Sequence, residues 1–184
     1  EAHHSQQGSL LLAFTSNGFI PSTPTLGDID GDGEDEIIFS QYGGDRYLYA
    51  INGDGTNVPG FPISLDEKVQ RGVALADFNN NGKMDIVVGT DDEFVHLILD
   101  DGTIAWSYET GGDIRVAPTV LELDTGELIV LAGSKDDIFY GFNSDGTVRF
   151  TVEKDDDIAT EASIVILMVL VQSFSLLLEI LFTL

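Results

Sequence analysis

Short apolar runs of alternating character recur along the chain, separated by clusters of Asp, Asn and Gly. Tyr47 to Ile51, Val95 to Leu99 and Ile138 to Phe142 each lead into an Asp-Gly-Thr triplet, at Asp54-Gly55-Thr56, Asp101-Gly102-Thr103 and Asp145-Gly146-Thr147. An Asp-Gly between two such runs signals a hairpin turn, because the turn needs a residue at positive φ. A second landmark, a short apolar strand, follows each turn: Pro24-Thr25-Leu26, Val73-Ala74-Leu75, Pro118-Thr119-Val120 and Ala162-Ser163-Ile164. Two residues further on stand Asp28, Asp77, Glu122 and Ile166, each twenty to twenty-two residues after a glycine (Gly8, Gly55, Gly102 and Gly146).

The period is therefore 44 to 49 residues. For the second unit the pattern predicts strands near 71–76, 84–90, 93–99 and 103–109, and no helical period stands out before residue 160. Four short strands in a repeat of this length predict an all-β fold, a β-propeller of four-stranded antiparallel blades. A β-solenoid is the alternative, with shorter coils. The units fall near 8–54, 55–101, 102–145 and 146–165, after a frayed stretch at 1–7, so about three full blades plus parts of an incomplete ring are expected. The start at Gly8 falls in a last strand, which reads either as a fragment or as a strand that closes the ring.

Charge adds a second theme. The 184 residues carry 8 Lys+Arg against 32 Asp+Glu, a net charge of −24. That balance opposes binding to nucleic acid or to an anionic membrane surface. Disorder is a poor explanation, because 43% of the residues are hydrophobic. With no cysteine there is no disulfide, thiolate metal site or Cys nucleophile.

Many of the acids fall in two ordered loops. The first reads Asp28-Ile29-Asp30-Gly31-Asp32-Gly33-Glu34-Asp35-Glu36, and the second Asp77-Phe78-Asn79-Asn80-Asn81-Gly82-Lys83-Met84-Asp85. Both place oxygen-bearing side chains at positions 1, 3, 5 and 9, with Gly at position 6. Alternating oxygens and a glycine let a short loop curl around one hard cation, with a backbone carbonyl offered at position 7, and such a donor set suits Ca²⁺. An EF-hand loop begins the same way, but its closing Glu at position 12 is replaced here by Phe39 and Val88. The first loop gathers four carboxylates and the second two, so the first is expected to bind more tightly and to cost more stability when empty. In the third unit, Glu122 to Glu127 runs straight into Leu128, Ile129 and Val130; the loop is about three residues short, and no ion is expected there.

On the stretches Leu26 to Gly33 and Ala76 to Val88, the chain resembles the FG-GAP/VCBS repeat family, known from integrin-α-like propellers and many bacterial surface proteins. The resemblance spans roughly residues 8–165 and implies ligand roles for Asp28, Asp30, Asp32, Glu34 (carbonyl) and Glu36, and for Asp77, Asn79, Asn81, Lys83 (carbonyl) and Asp85. It further implies two structural Ca²⁺ sites in an extracellular or cell-surface module, of bacterial secreted type, for adhesion or for binding an unknown protein or carbohydrate. The stretch from Val95 to Val120 also resembles quinoprotein-type propeller repeats, in which the Trp packs between blades; Trp106 reads as core rather than as a cofactor contact.

No catalytic constellation is visible. His96 alternates with apolar neighbours and reads as structural, while His3 and His4 lie in the frayed end. The rival reading is part of a propeller enzyme, a polysaccharide lyase or quinoprotein-like protein, with its active site in blades outside this sequence. The last stretch, 164–184, has sixteen apolar residues of 21. Two accounts of it stay open: a membrane anchor, against which Gln172 and Glu179 count, or a frameshift just after Val165 that turned an Asp-Ile-Asp-Gly loop into Ile166-Leu167-Met168-Val169.

Overall fold

The computed structural model describes residues 13–153. The expectations for Gly8, His3, His4, the landmark at 162–164 and the apolar tail lie outside the described residues. Among those described there are twelve strands and no helix, and so no helix long and apolar enough to cross a membrane.

The strands form three separate four-stranded meanders. The first contains β1 (Thr25–Gly27), β2 (Glu36–Ser40), β3 (Tyr47–Ile51) and β4 (Ile63–Ser64). The second contains β5 (Ala74–Ala76), β6 (Asp85–Gly89), β7 (Phe94–Ile98) and β8 (Ile104–Glu109). The third contains β9 (Thr119–Glu122), β10 (Leu128–Gly133), β11 (Ile138–Asn143) and β12 (Val148–Glu153). Every pairing is antiparallel between sequence neighbours. The second sheet follows the sequence expectation strand by strand. The fold is an incomplete all-β propeller, with three four-stranded blades among the described residues. Counted from the turn glycines, the units at 55–101 and 102–145 each open with the fourth strand of one sheet and run through the first three of the next.

Burial explains the pattern of each strand. β6 reads Asp-Ile-Val-Val-Gly and is buried at every position, because its sheet is covered on both faces. Ile86, Val88 and Ile98 meet Ile38, Leu48 and Ala50 of the first sheet. Val87, Val95 and Leu97 point the other way and meet Val130, Ala132, Tyr140 and Phe142 of the third. A run apolar on both faces is what a doubly covered strand requires. The outer strands β8 and β12 alternate or stand exposed.

The turn chemistry is repeated in detail. At each Asp-Gly-Thr, the glycine N–H donates to the carbonyl three residues back, and the residue that accepts it donates to the Thr carbonyl: Gly55 to Asn52, Gly102 to Leu99 and Gly146 to Asn143. Gly55, Gly102 and Gly146 have φ of 89°, 83° and 83°. This is the three-residue hairpin connection with a left-handed glycine. The Asp carboxylate caps the turn by accepting the Thr N–H at 2.9 to 3.0 Å in all three. The Thr hydroxyl and N–H hold Asp54, Asp101 and Asp145 below the usual carboxylate range.

Trp106 lies between the second and third sheets. Its indole N–H donates to the Ser144 carbonyl at 3.0 Å, and its ring stands 5.8 Å from Phe142. Its position is structural, as the pattern implied.

Candidate metal centre

Both acidic loops connect the first strand of a sheet to its second: β1 to β2 and β5 to β6. Their geometry begins with position 2, which is apolar in both. Ile29 is fully buried in the core between the first two sheets, and Phe78 packs on the core between the second and third. That anchor leaves positions 1 and 3 at the loop surface, where their oxygens can converge.

In the first loop, Asp28 accepts N–H groups from Gly31 and Gly33 at 2.6 and 3.1 Å, one on each carboxylate oxygen. Asp30 accepts the Asp32 N–H, and Asp32 accepts the Glu34 N–H. Gly31 and Gly33 sit at φ of 80° and 92°, a region costly for any residue with a Cβ. Glu36, the first residue of β2, is only 1% exposed. Its Oε2 accepts the Ile29 N–H at 2.7 Å and the Asp30 N–H at 3.4 Å. Oxygens of Asp28, Asp30 and Glu36 all lie within 4.8 Å of one another and could hold a metal ion. Asp32 and Glu34 are exposed and stand outside that trio. Burial pushes the Glu36 carboxyl above its ordinary range; the Ile29 N–H pulls it back, and the charges of Asp30 and Asp32 raise it further.

The second loop repeats the wrapping. Asp77 accepts N–H groups from Asn81 and Gly82, Asn79 accepts from Asn81, and Asn81 accepts from Lys83. Asp85, the first residue of β6, is 0% exposed. It accepts the Phe78 N–H at 2.9 Å and the Asp100 N–H at 3.0 Å. Burial raises its pKa, those two N–H bonds oppose the rise, and the charges of Asp100 and Asp77 add to it.

Two participants escaped the sequence reading. Asp100, in the turn after β7, receives the Asn81 side-chain amide at 3.1 Å and the Lys83 ammonium at 3.3 Å. The matching turn position is Gly53 in the first blade and Ser144 in the third, so an acid there departs from the repeat. The Lys83 side chain, taken only as a carrier of its carbonyl, lies across the first loop: a Cβ built on Gly31 would stand 3.2 Å from its Cγ and Cε.

The third connection, from β9 to β10, is a tight turn. Gly126 donates to the Leu123 carbonyl and Leu123 to the Glu127 carbonyl, with Gly126 at φ 81°. It is the same three-residue device used at the Asp-Gly-Thr hairpins, and it has no ladder of oxygen side chains.

Residues 13–88, which span both acidic loops, match the model of the FG-GAP-like repeat. The chain carries an FG-GAP-like repeat. A stretch of 67 residues is 40% identical to cartilage acidic protein 1 of Xenopus tropicalis, covering 35% of this chain and 10% of that protein. The chain thus spans about a tenth of that relative. Among solved structures, BamB from Moraxella catarrhalis aligns with a TM-score of 0.56 at 16% identity, over 77% of this chain and 39% of that one. BBS1N, solved in complex with ARL6DN, aligns with a TM-score of 0.58 at 17% identity, over 75% of this chain and 41% of that one. At such identities these neighbours speak to the fold of this chain alone.

The remaining histidine candidate is local. His96 Nδ1 lies 2.7 Å from Ser107 Oγ on the adjacent strand, and its ring stacks on Phe94 at 5.6 Å. Burial lowers its pKa, and the charge of Asp92 opposes that shift.

Proposed function

We propose that this chain is part of an extracellular or cell-surface repeat module for adhesion or ligand binding, whose two acidic loops bind Ca²⁺ as a structural ion. The observation that carries the reading is the convergence of Asp28, Asp30 and Glu36 within 4.8 Å, with Glu36 buried. Three ionised carboxylates at that distance repel one another, and a cation among them relieves the repulsion. The donors are all oxygen, which favours a hard cation, and a flexible loop favours Ca²⁺ over the smaller Mg²⁺. Asp28, Asp30, Glu36 and the carbonyl of Glu34 would hold the first ion, with Asp32 turning in. Asp77, Asn79, Asn81, Asp85 and the carbonyl of Lys83 would hold the second. Each ion would tie the start of a blade's second strand to the end of its first. The similarity to an acidic protein of cartilage, together with the net charge of −24, supports the extracellular setting.

Calcium titration followed by calorimetry and thermal unfolding tests the reading. Saturable binding is expected, with a stabilisation of about 2.7 kcal/mol for each site when calcium reaches a hundred times that site's Kd. No saturable heat, or equal stabilisation by magnesium, overturns it.

A further inference from the structure

We infer that the two acidic loops are coupled, so that an ion in the first strengthens binding in the second, and that Lys83 is the positioning residue through which they communicate. This rests on the calcium reading above and adds to it a mechanism within the chain.

Two contacts join the loops, and a third ties Lys83 back to the buried acid of its own loop. The Asp28 carbonyl, on the residue that opens the first loop, accepts the N–H of Met84 in the second loop at 2.9 Å. The Lys83 stem lies on Gly31, so close that even a methyl there would meet Cγ and Cε at 3.2 Å. The Lys83 ammonium then reaches Asp100 at 3.3 Å, and the Asp100 N–H holds Asp85 at 3.0 Å. The peptide group between Lys83 and Met84 therefore has the first loop on its N–H side. Its carbonyl is the one the second ion would use. Asp30, Asp32, Lys83, Asp100 and Asp101 line a single recess of about 400 Å³ between the loops.

The sign follows from what an ion does to the first loop. Neutralising Asp28, Asp30 and Glu36 fixes the backbone at Gly31 and the Asp28 carbonyl. Those are the surfaces against which Lys83 and Met84 rest. The second loop then has less freedom to lose when its own ion binds, which is positive coupling. Repulsion between the ions is offset locally, since the first loop alone carries Asp28, Asp30, Asp32, Glu34, Asp35 and Glu36.

Calcium titration of the full chain by two-dimensional amide NMR reads each loop separately, through Gly31 and Gly33 for the first and Gly82 for the second. Asp30→Ala removes a first-loop ligand whose carboxylate otherwise accepts one loop N–H. It is expected to raise the second-loop Kd at least about five-fold. Asn79→Ala should weaken the first loop by the same factor, because coupling is reciprocal. In a Lys83→Ala background, Asp30→Ala should no longer change the second loop, whereas Lys83→Arg, with stem and charge kept, should restore the effect. A second-loop Kd that ignores Asp30→Ala with Lys83 intact overturns the coupling while leaving the calcium reading standing. Coupling that survives Lys83→Ala overturns the role of Lys83. Absence of calcium binding at either loop overturns both.

Discussion

Replacing Glu36 by Gln should change the sign of its effect on stability with the presence of calcium. The carboxylate is 1% exposed and has oxygens of Asp28 and Asp30 within 4.8 Å. A pair of unit charges at that distance repels by about 0.9 kcal/mol in bulk water and about 3.5 kcal/mol at an effective dielectric of 20. The Gln carbonyl can still accept the N–H groups of Ile29 and Asp30, and its amide can donate to the neighbouring acids. With the N–H bonds to Asp28 offsetting part of the repulsion, the variant should be about 1–2 kcal/mol more stable than wild type in chelator. That corresponds to a rise of about 2–8 °C in Tm. In calcium at a thousand times the wild-type Kd, the wild type gains about 4.1 kcal/mol, and a variant binding a hundred-fold more weakly gains about 1.4 kcal/mol. The order then inverts, and the variant becomes about 1 kcal/mol less stable. Acidity supplies an internal control. The folded pKa of Glu36 is raised, so its contribution in chelator is favourable below the ordinary carboxylate value of 4.5 and is lost as pH rises through the folded value. The gap between variant and wild type should therefore close as pH falls through the raised value. Thermal unfolding followed by circular dichroism, in chelator and in calcium, reads all three. A variant less stable than wild type in chelator would refute the charge argument; one equally stabilised in both conditions would refute the ion.

Two further expectations concern the rest of the blade. Gly146→Ala puts a Cβ 2.7 Å from the Trp106 ring at φ 83°, whereas Gly126→Ala has φ 81° and nothing within 4 Å. Both should lose about 1 kcal/mol or more from backbone strain, and Gly146→Ala a further ~1–2 kcal/mol from the ring contact, with a shift in the emission of the chain's one Trp; equal losses would refute the packing of Trp106 between blades. Asp136 is held below the usual range because, although burial raises it, bonds from the Tyr140 hydroxyl, Ser134 and the N–H groups of Gly111 and Ile138 prevail, and Tyr140 is raised in turn, by burial first and then by Asp136. Its stabilisation is present above the unfolded value of 3.8 and lost as pH falls through the folded one, so Asp136→Asn should flatten the loss of stability below about pH 4, as followed by acid titration; an unchanged acid limb refutes it.

The repeat was legible because turns and strands are short-range. Gly55, Gly102 and Gly146 had to be left-handed, and the apolar alternation between them set each strand's faces. The loop wrapping was legible for the same reason, since every N–H bond in the first loop spans at most seven residues. What stayed hidden lies between separate loops, within a blade and across blades. Asp100 meets Asp85 and Asn81 across fifteen and nineteen residues, and Lys83 meets Gly31 across fifty-two. No local pattern marks such pairs, although the acid at Asp100, where the other turns have Gly53 and Ser144, was a departure that could have been read. Asp32 shows the opposite difference: its spacing made it a ligand, yet it stands outside the trio formed by Asp28, Asp30 and Glu36.

The third blade lacks the long loop and so offers an internal comparison. By register, Gly27 faces Glu36, Ala76 faces Asp85 and Leu121 faces Ile129, so these three second-strand residues occupy one structural position. All three are buried, at 1%, 0% and 0% exposed. In the first two blades the residue is an acid wrapped by a long loop, and in the third it is an isoleucine beside a three-residue turn. A buried carboxylate without partners would be costly, so the acid cannot stay once the loop is gone. The sheet itself does not depend on the loop, for β9 and β10 pair in the same antiparallel register without it. Strand pairing therefore cannot be the reason for the long loops. Acid and loop are present together or absent together, as expected if they serve one purpose that the hydrogen-bonded sheet does not supply, and a cation held at the blade's end meets that requirement.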